Sequence, residues 1–291
     1  MLFGSIEAGG TKFVCAIGNE KMEILERVSI ETREPEATIK DVCEFFAPYN
    51  HQLDGVGVGS FGPIDGQKSS KTYGHILASP KVKWQGFDLI GALVEFFNCP
   101  IEWTTDVNAA AFGEYHYGHG KDSNSLVYYT IGTGIGAGAI QDDQFIGGVN
   151  FTEMGHMLVT RHPEDTAASS CPFHHNCLEG VASGPAIGIR AGKAAQLLEE
   201  DDYLWDIEAE YIAQCVHNTT LMLAPEVIVL GGGVMQQEHL LPKVKKAFEK
   251  VLNGYVTHPT VDEYIKTPKL GNNAATIGCF VLAQKAFEKA K

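Results

Sequence analysis

Glu7-Ala8-Gly9-Gly10-Thr11-Lys12 is the stretch that decides the fold. It lies between apolar segments at residues 2–6 and 12–17, so it predicts a β-hairpin with a turn of small residues. Gly132-Thr133-Gly134 repeats this arrangement in the second half of the chain. The repeat predicts two related α/β domains, and clefts between domains are where small ligands usually bind.

Apolar periodicity predicts alternating helices and strands after each hairpin turn. Their spacing agrees with two layered α/β domains in succession. The predicted elements are a helix over 35–47, a strand over 55–60, a helix over 88–97, a strand over 100–104 and a helix from Asp106, then strands over 125–131 and 135–140, a bend at Asp142-Asp143, a strand over 226–230, and helices over 238–252 and 274–290.

Composition excludes several classes of protein. The 291 residues are 44% hydrophobic and 20% charged, as in compact enzymes. A net charge of −14 without clustered Lys or Arg argues against nucleic acid as a partner. There is no apolar run of about 18 residues and no basic segment at the N-terminus, so we expect a cytoplasmic protein that is not bound to a membrane. The chain has seven cysteines, an odd number, and most of them are far apart in the sequence. Both features argue against a disulfide framework.

The glycine-rich turns favour a nucleotide-binding site. Backbone N–H groups in such turns can surround phosphate oxygens, and Thr11, Lys12 and Thr133 add further donors. Gly231-Gly232-Gly233 follows a predicted buried strand and supplies a third loop. One such turn alone is more often just a connection between strands, but three of them favour a nucleotide. No Walker A motif is present in the sequence.

A dinucleotide-binding site is a weaker alternative. Gly132-x-Gly134-x-x-Ala137 fits the loose dinucleotide fingerprint, and Glu153 follows about 20 residues later. That fingerprint requires a helix after the glycines, whereas residues 135–140 predict a strand. The context therefore disfavours this alternative.

Asp106 lies where a predicted strand ends and a helix begins. A carboxylate at such a junction can face a cleft and accept the proton of a sugar hydroxyl that attacks a γ-phosphate. Aspartate is also a common helix N-cap, and capping alone would explain a residue of this type here. Both interpretations stay open from the residues alone.

The most specific local motif is Cys171-x-x-His174-x-x-Cys177, with His156 upstream. These four side chains form a ligand set suited to tetrahedral zinc, and His175 competes with His174 for one position. A site filled by four protein ligands is structural, because no position is left for a reactive water. We therefore expect the zinc ion to hold a loop rigid, and to be needed for folding more than for turnover.

Two carboxylates flank this motif. Glu153 precedes His156 by three residues, and Glu179 follows Cys177 closely. Carboxylates are good acceptors for the paired hydroxyls of a sugar. A zinc-ordered loop would hold both of them near a polyhydroxylated substrate.

Taken together, these motifs resemble the ROK family of sugar kinases and repressors, and within it the bacterial fructokinases. The resemblance covers essentially the whole chain. It rests on the following segments: Glu7-Ala8-Gly9-Gly10-Thr11-Lys12, Gly59-Ser60-Phe61-Gly62-Pro63, Thr105-Asp106-Val107-Asn108-Ala109-Ala110, Ile131-Gly132-Thr133-Gly134-Ile135-Gly136, Glu153-Met154-Gly155-His156, the cysteine/histidine motif, and Leu230-Gly231-Gly232-Gly233-Val234.

The resemblance implies an actin-like ATPase (ribonuclease H-like) fold, with two α/β domains around a central cleft. The expected N-terminal domain comprises residues 1–117 and 281–291, and the expected C-terminal domain, residues 118–280, carries the zinc loop. The implied activity is ATP-dependent phosphorylation of fructose to fructose 6-phosphate, with Mg²⁺ and a structural Zn²⁺. Proteins of this kind are usually homodimers.

The resemblance also implies roles for individual residues, with Asp106 as the catalytic base. The expected sugar site is formed by Gly62, Pro63, Thr105, Asp106, Glu153, His156 and Glu179. The expected nucleotide site is formed by Gly9, Gly10, Thr11, Lys12, Thr133, Gly134, Gly184, Pro185, Gly231, Gly232 and Gly233. The expected zinc ligands are His156, Cys171, His174 and Cys177.

Two departures from the family's glucokinases bear on the sugar. Thr105 stands where those proteins tend to have Asn, and the zinc motif has His174 in place of a third cysteine. Both features resemble the fructokinase branch and favour fructose, with mannose, glucose or another hexose as the alternative.

A sugar-responsive repressor is a remoter alternative. Family repressors carry a DNA-binding region before the first glycine hairpin, whereas here that hairpin begins at Met1 and the chain is acidic. We therefore expect no such region. A catalytically silent sugar sensor is disfavoured by the presence of Asp106 and three glycine loops.

Overall fold

The computed structural model describes residues 1–79 and 81–291 and has an α/β architecture, as predicted. Its elements alternate along the chain in two successive series. The first series is β1 (Leu2–Ala8), β2 (Lys12–Asn19), β3 (Ile24–Glu31), α1 (Pro35–Phe46), β4 (Gly55–Ser60), α2 (Leu89–Phe96), β5 (Ile101–Thr105) and α3 (Asp106–Tyr117). The second is β6 (Ser125–Ile131), β7 (Ile135–Gln141), β8 (Gln144–Phe145), α4 (Leu178–Ala182), α5 (Gly184–Ala191), α6 (Leu204–Leu223), β9 (Val227–Gly231), α7 (Leu240–Leu252), α8 (Val261–Tyr264), β10 (Ile265–Lys266) and α9 (Ala274–Ala290).

The two five-stranded sheets have the same topology. Their strand orders are β3-β2-β1-β4-β5 and β8-β7-β6-β9-β10, so each sheet places its first strand at the centre. In each sheet the first strand pairs antiparallel with the second and parallel with the fourth. This duplication confirms the internal repeat predicted from the two glycine turns.

The chain divides into two compact units. The first contains Met1–Gly118, Phe145–Phe151 and Asn272–Lys291, and the second contains His119–Gln144 and Thr152–Gly271. This division differs from the predicted boundaries, because a boundary at residue 281 would cut α9 in two. The structure keeps that helix whole, since its buried face packs on β4 and α3 of the first unit.

Glycines let the backbone of α9 approach β4 closely. Gly55, Gly57 and Gly59 alternate along β4, and the first two face the helix: a Cβ added to Gly57 would lie 1.8 Å from the Cys279 carbonyl oxygen. Helix α9 approaches α3 just as closely, because a Cβ on Gly278 would lie 1.8 Å from the carbonyl oxygen of Ala109 in α3. Any side chain at these positions would push the helices off the sheet.

Several elements lack a sequence prediction. Strand β3 is mostly exposed, so its apolar residues do not alternate clearly. The long helix α6 is buried over much of its surface and its apolar stripe is therefore not distinct.

All seven cysteines are free, although Cys43 and Cys99 are only half-buried. Within the described residues, no helix is long and apolar enough to cross a membrane.

Replacing Gly57 by Ala should destabilise the first unit. The added methyl group collides with the Cys279 carbonyl group, and overpacking of this kind lowers the free energy of unfolding by about 1–3 kcal/mol. Urea unfolding followed by tryptophan fluorescence would measure the loss, because Trp84 and Trp103 are both buried in this unit.

Gly148→Ala is the matched control, since no atom lies within 4 Å of the added carbon. It should change the free energy of unfolding by less than about 0.5 kcal/mol. Equal unfolding midpoints for Gly57→Ala and the wild type would contradict the close approach of α9 to β4.

Candidate active site and metal centre

In the first unit, three predicted site segments follow strands that end at the same edge of the sheet. Ala8 pairs with Ser60, and Ser60 pairs with Thr105, in parallel strands β1, β4 and β5. The backbone N–H of Phe61 donates to the Ala8 carbonyl oxygen over 2.7 Å. The structure therefore places the beginnings of the Gly9–Lys12 turn, the Gly62-Pro63 turn and the Asp106 segment side by side.

The Gly9–Lys12 turn is closed by its own backbone. Gly9 N–H donates to the Lys12 carbonyl oxygen over 3.1 Å, and a Cβ on Gly9 would lie only 2.6 Å from that oxygen. The Thr32 hydroxyl donates to the Gly9 carbonyl oxygen over 2.7 Å and fixes the turn from the side. The side chains of Thr11 and Lys12 remain exposed and can contact a ligand.

Asp106 is the first residue of α3 and not its N-cap. The cap is Thr105, whose Oγ1 accepts a hydrogen bond from the Asn108 backbone N–H over 3.1 Å. The Asp106 Oδ1 atom accepts from the N–H of Val107 over 2.8 Å. Thr105 therefore occupies the N-cap position, and the Asp106 carboxylate satisfies a further N–H of the first turn.

In the second unit, the other predicted glycine loops lie together at the ends of β6 and β9. Thr130 pairs with Gly231 across these parallel strands. Gly232 has a φ of 91°, and a Cβ there would lie 2.4 Å from backbone atoms of Ile131. A Cβ on Gly132 would lie 3.8 Å from the backbone nitrogen of Gly233. The Gly132–Gly134 turn and the Gly231–Gly233 loop thus form one glycine-lined edge.

Helix α5 begins at the same place. The backbone N–H of Gly184 donates to the Gly132 carbonyl oxygen over 2.7 Å, and Pro185 follows in the first turn of the helix. Within the turn, Gly132 N–H donates to the Gly134 carbonyl oxygen over 2.9 Å, and Thr133 is exposed. The nucleotide residues predicted in this unit are therefore neighbours. Residues 135–141 form a strand, which excludes the helix that a dinucleotide fingerprint needs.

The four predicted metal ligands form a compact cluster. One ligand atom from each of His156, Cys171, His174 and Cys177 lies within 4.8 Å of every other. Cys171 Sγ is 3.8 Å from His156 Nδ1 and 3.6 Å from His174 Nδ1, and Cys177 Sγ is 3.6 Å from His156 Nδ1. His175 is not part of the cluster.

These distances fit zinc. With Zn–S bonds of about 2.3 Å and Zn–N bonds of about 2.1 Å, tetrahedral geometry puts a sulfur and a nitrogen ligand about 3.6 Å apart. Two thiols and two imidazoles are also a donor set that zinc prefers. The cluster can therefore hold a tetrahedral ion without rearrangement of the loop.

Glu179 stands between the metal ligands and the Gly132–Gly134 turn. Its Oε1 atom is 3.9 Å from His156 Nε2, and its Oε2 atom accepts a hydrogen bond from Ile135 N–H over 2.9 Å. The pKa of the nearby Glu153 carboxyl is raised above its usual value, mainly by burial. The positive charge of His156 opposes this shift, and the negative charge of Glu179 adds to it. The negative charge of Glu179 therefore disfavours ionisation of Glu153.

A buried ionic network anchors the loop that leads to Cys171. Asp165 accepts from the Tyr211 hydroxyl over 2.7 Å and lies 3.2 Å from both Arg190 and Arg161. Burial acts to raise the pKa of Asp165, but the Tyr211 hydroxyl and the two arginines bring it below its usual value. Arg190 also reaches Glu208 over 3.4 Å, and burial raises the pKa of Glu208 to about 8.

Sequence reasoning missed this network and one further carboxylate. The network joins residues from three separate segments, and no local spacing pattern indicates it. Glu7 is half-buried at the end of β1, just before the first glycine turn. Burial raises the pKa of its carboxyl group, and Arg27 and Lys12 oppose that shift. An acidic residue directly before a glycine turn was the available signal.

Comparison with known proteins identifies the family of the chain. The ROK family model matches residues 3–286. The chain is 48% identical to a fructokinase of Streptococcus mutans over 98% of each chain, and 47% identical to a fructokinase of Pediococcus pentosaceus over 100% of each.

A solved structure shares the whole fold. The ROK hexokinase from Thermus thermophilus matches with a TM-score of 0.82 at 23% identity, covering 99% of this chain and 100% of that one. This match confirms the actin-like ATPase fold predicted from the sequence. With a family model that spans nearly the full length and relatives close to half identical, the chain belongs to the ROK family.

Proposed function

We propose that this chain is a fructokinase that transfers the γ-phosphoryl group of ATP to fructose and forms fructose 6-phosphate. The observation that carries the proposal is its identity of 47–48%, over essentially the full length, to proteins named fructokinase. The glycine-lined strand ends and the position of Asp106 support the same activity.

Asp106 acts as the general base in this proposal. Its carboxylate takes the proton of the attacking sugar hydroxyl, and the hydroxyl oxygen then forms a bond to the γ-phosphorus. The bond from that phosphorus to the β–γ bridging oxygen breaks, and ADP leaves. Mg²⁺ supplied with ATP neutralises phosphate charge. Thr105 is the N-cap of α3, so capping of the helix does not by itself account for an aspartate at position 106.

The glycine turns bind the nucleotide in this proposal. In the first unit, the donors of Thr11 and the Lys12 ammonium group bind phosphate oxygens, and in the second unit the donors of Thr133 do so. Because the chain is acidic, such local donors have to attract the phosphate groups. The other residues in the nucleotide set are Gly9, Gly10, Gly134, Gly184, Pro185, Gly231, Gly232 and Gly233. They let the backbone approach the ligand.

The sugar is held by carboxylates and an imidazole. Glu153, His156 and Glu179 accept from or donate to its hydroxyl groups, and Gly62, Pro63 and Thr105 complete the set. His156 can serve both a zinc ion and the sugar, since its two ring nitrogens face different partners. Mannose or glucose is the alternative substrate.

Zinc is bound by His156, Cys171, His174 and Cys177 and has a structural role. The proposal rests on ligand distances that match a tetrahedral site. We further propose a homodimer, as the family resemblance implies, and a cytoplasmic location, as expected from the sequence.

Asp106→Asn should lose sugar-dependent ADP release. Loss of a general base lowers the rate by about 10²–10⁴-fold, whereas Asn preserves the size of the side chain. ADP release would be measured with Mg-ATP and a panel of fructose, mannose, glucose and N-acetylated hexoses, with exposed Asp122→Asn as the control. A variant as active as the wild type would exclude Asp106 as the base.

His174→Ala should lower the zinc content and the thermal midpoint of the purified protein. His175→Ala should change neither, because that side chain lies outside the ligand cluster. Zinc content would be measured by atomic emission, and unfolding by circular dichroism before and after chelation. A chelated protein that keeps its fold and its midpoint but loses activity would contradict the structural role.

A further inference from the structure

Glu179 contacts both the metal cluster and the Gly132–Gly134 turn of the second unit. One oxygen lies 3.9 Å from the Nε2 atom of His156, and the other accepts the Ile135 N–H over 2.9 Å. His156 belongs to the metal cluster, and Ile135 ends the Gly132–Gly134 turn. A single carboxylate therefore bridges the metal centre and a nucleotide turn.

On the metal side, the two nitrogens of His156 have distinct partners. Nδ1 faces the sulfur atoms of Cys171 and Cys177, 3.8 Å and 3.6 Å away, and Nε2 faces Glu179. An ion held at Nδ1 would leave the proton on Nε2, which faces the Glu179 carboxylate at 3.9 Å, and an acidic partner on that side would favour this orientation of the imidazole ring. Metal binding and the position of Glu179 are thus coupled through one ring.

On the nucleotide side, the turn is held from two points. Glu179 accepts from the N–H of Ile135, and a Cβ added to Gly134 would lie 2.8 Å from the same carboxylate oxygen. At the other end of the turn, the Gly132 carbonyl oxygen accepts from Gly184 N–H over 2.7 Å. Between these points Thr133 is exposed. A shift of Glu179 would therefore move the donors of this turn.

The backbone around Glu179 is also fixed by the metal cluster. The ligand Cys177 is the N-cap of α4, and its sulfur accepts from Gly180 N–H over 3.3 Å. Glu179 lies in the first turn of that helix, two residues after the ligand. An ion that holds Cys177 therefore also fixes the origin of the Glu179 side chain.

We propose that Glu179 is a positioning residue that couples the metal centre to the phosphate-binding turn, so that zinc occupancy raises the affinity for the nucleotide. This inference rests on the proposed function, in which that turn binds ATP and the cluster binds zinc. Coupling between binding sites typically changes affinity by about 5–150-fold, and a coupling of about tenfold is expected here.

A double-mutant cycle on ADP affinity tests the coupling. Its corners are the wild type, Glu179→Ala, His174→Ala and the double variant, with the dissociation constant of ADP measured by calorimetry and zinc content determined in parallel. His174 is a cluster member, and no contact joins it to Glu179 among those described. Each single change should weaken ADP binding about tenfold, and the double change should weaken it no further than Glu179→Ala does.

Two conservative variants distinguish coupling from loss of fold. His174→Cys keeps a zinc ligand and should restore both zinc and ADP affinity. Glu179→Gln keeps an acceptor for Ile135 N–H but not the carboxylate beside His156, and should therefore make ADP affinity insensitive to zinc content.

Additive losses in the cycle would overturn the coupling while leaving the nucleotide site in place. ADP affinity that stays sensitive to zinc in Glu179→Gln would also overturn it. A zinc-loaded wild type that does not bind ADP would overturn the nucleotide role of the turn, and the coupling with it. Fructose phosphorylation by the wild type, measured separately, reports on the proposed function.

Discussion

The parallel pairing of β1 with β4 and β5 is the constraint on which the first unit depends. It aligns Ala8, Ser60 and Thr105 at one edge, so that three chemically distinct segments begin next to one another. Helix α9 packs very close to the central part of this sheet at β4, and only glycine at positions such as Gly57 allows that approach. The second unit repeats the constraint with β6 and β9, where Gly232 makes the close approach.

The features that could be predicted from the sequence are those formed by residues a few positions apart in the chain. The two glycine turns, Asp106 at a strand–helix junction and the Cys171–Cys177 motif each lie within a few residues of chain. In these motifs the residue types alone indicate the backbone conformation or the groups that can bind a metal or a ligand. The sequence left open whether His174 or His175 is the metal ligand, because the conformation of the loop decides which of two adjacent side chains points toward the cluster.

Other parts of the site depend on residues that are distant in sequence. The hydrogen bond from Ile135 to Glu179 spans 44 residues, and Arg190 meets Asp165 through the packing of α5 and α6. Helix α6 was missed because burial on most sides blurs the apolar stripe that periodicity detects. Contacts of this kind follow from tertiary packing, which no single-segment pattern encodes.

The loop bearing the metal ligands is anchored at both ends. At one end Asp165 is buried among Tyr211, Arg161 and Arg190. At the other end Cys177 caps α4. An ion held by the cluster would therefore join two ends of the loop that are already anchored by other contacts.

The activity proposed for this chain is transfer of the γ-phosphoryl group of ATP to fructose. Phosphorus NMR of a reaction containing the protein, Mg-ATP and fructose tests it most directly, because it identifies both products in one spectrum. The account predicts equal amounts of ADP and fructose 6-phosphate. A spectrum with no sugar phosphate from folded, zinc-loaded protein would contradict it, as would a phosphate carried on another hydroxyl of the sugar.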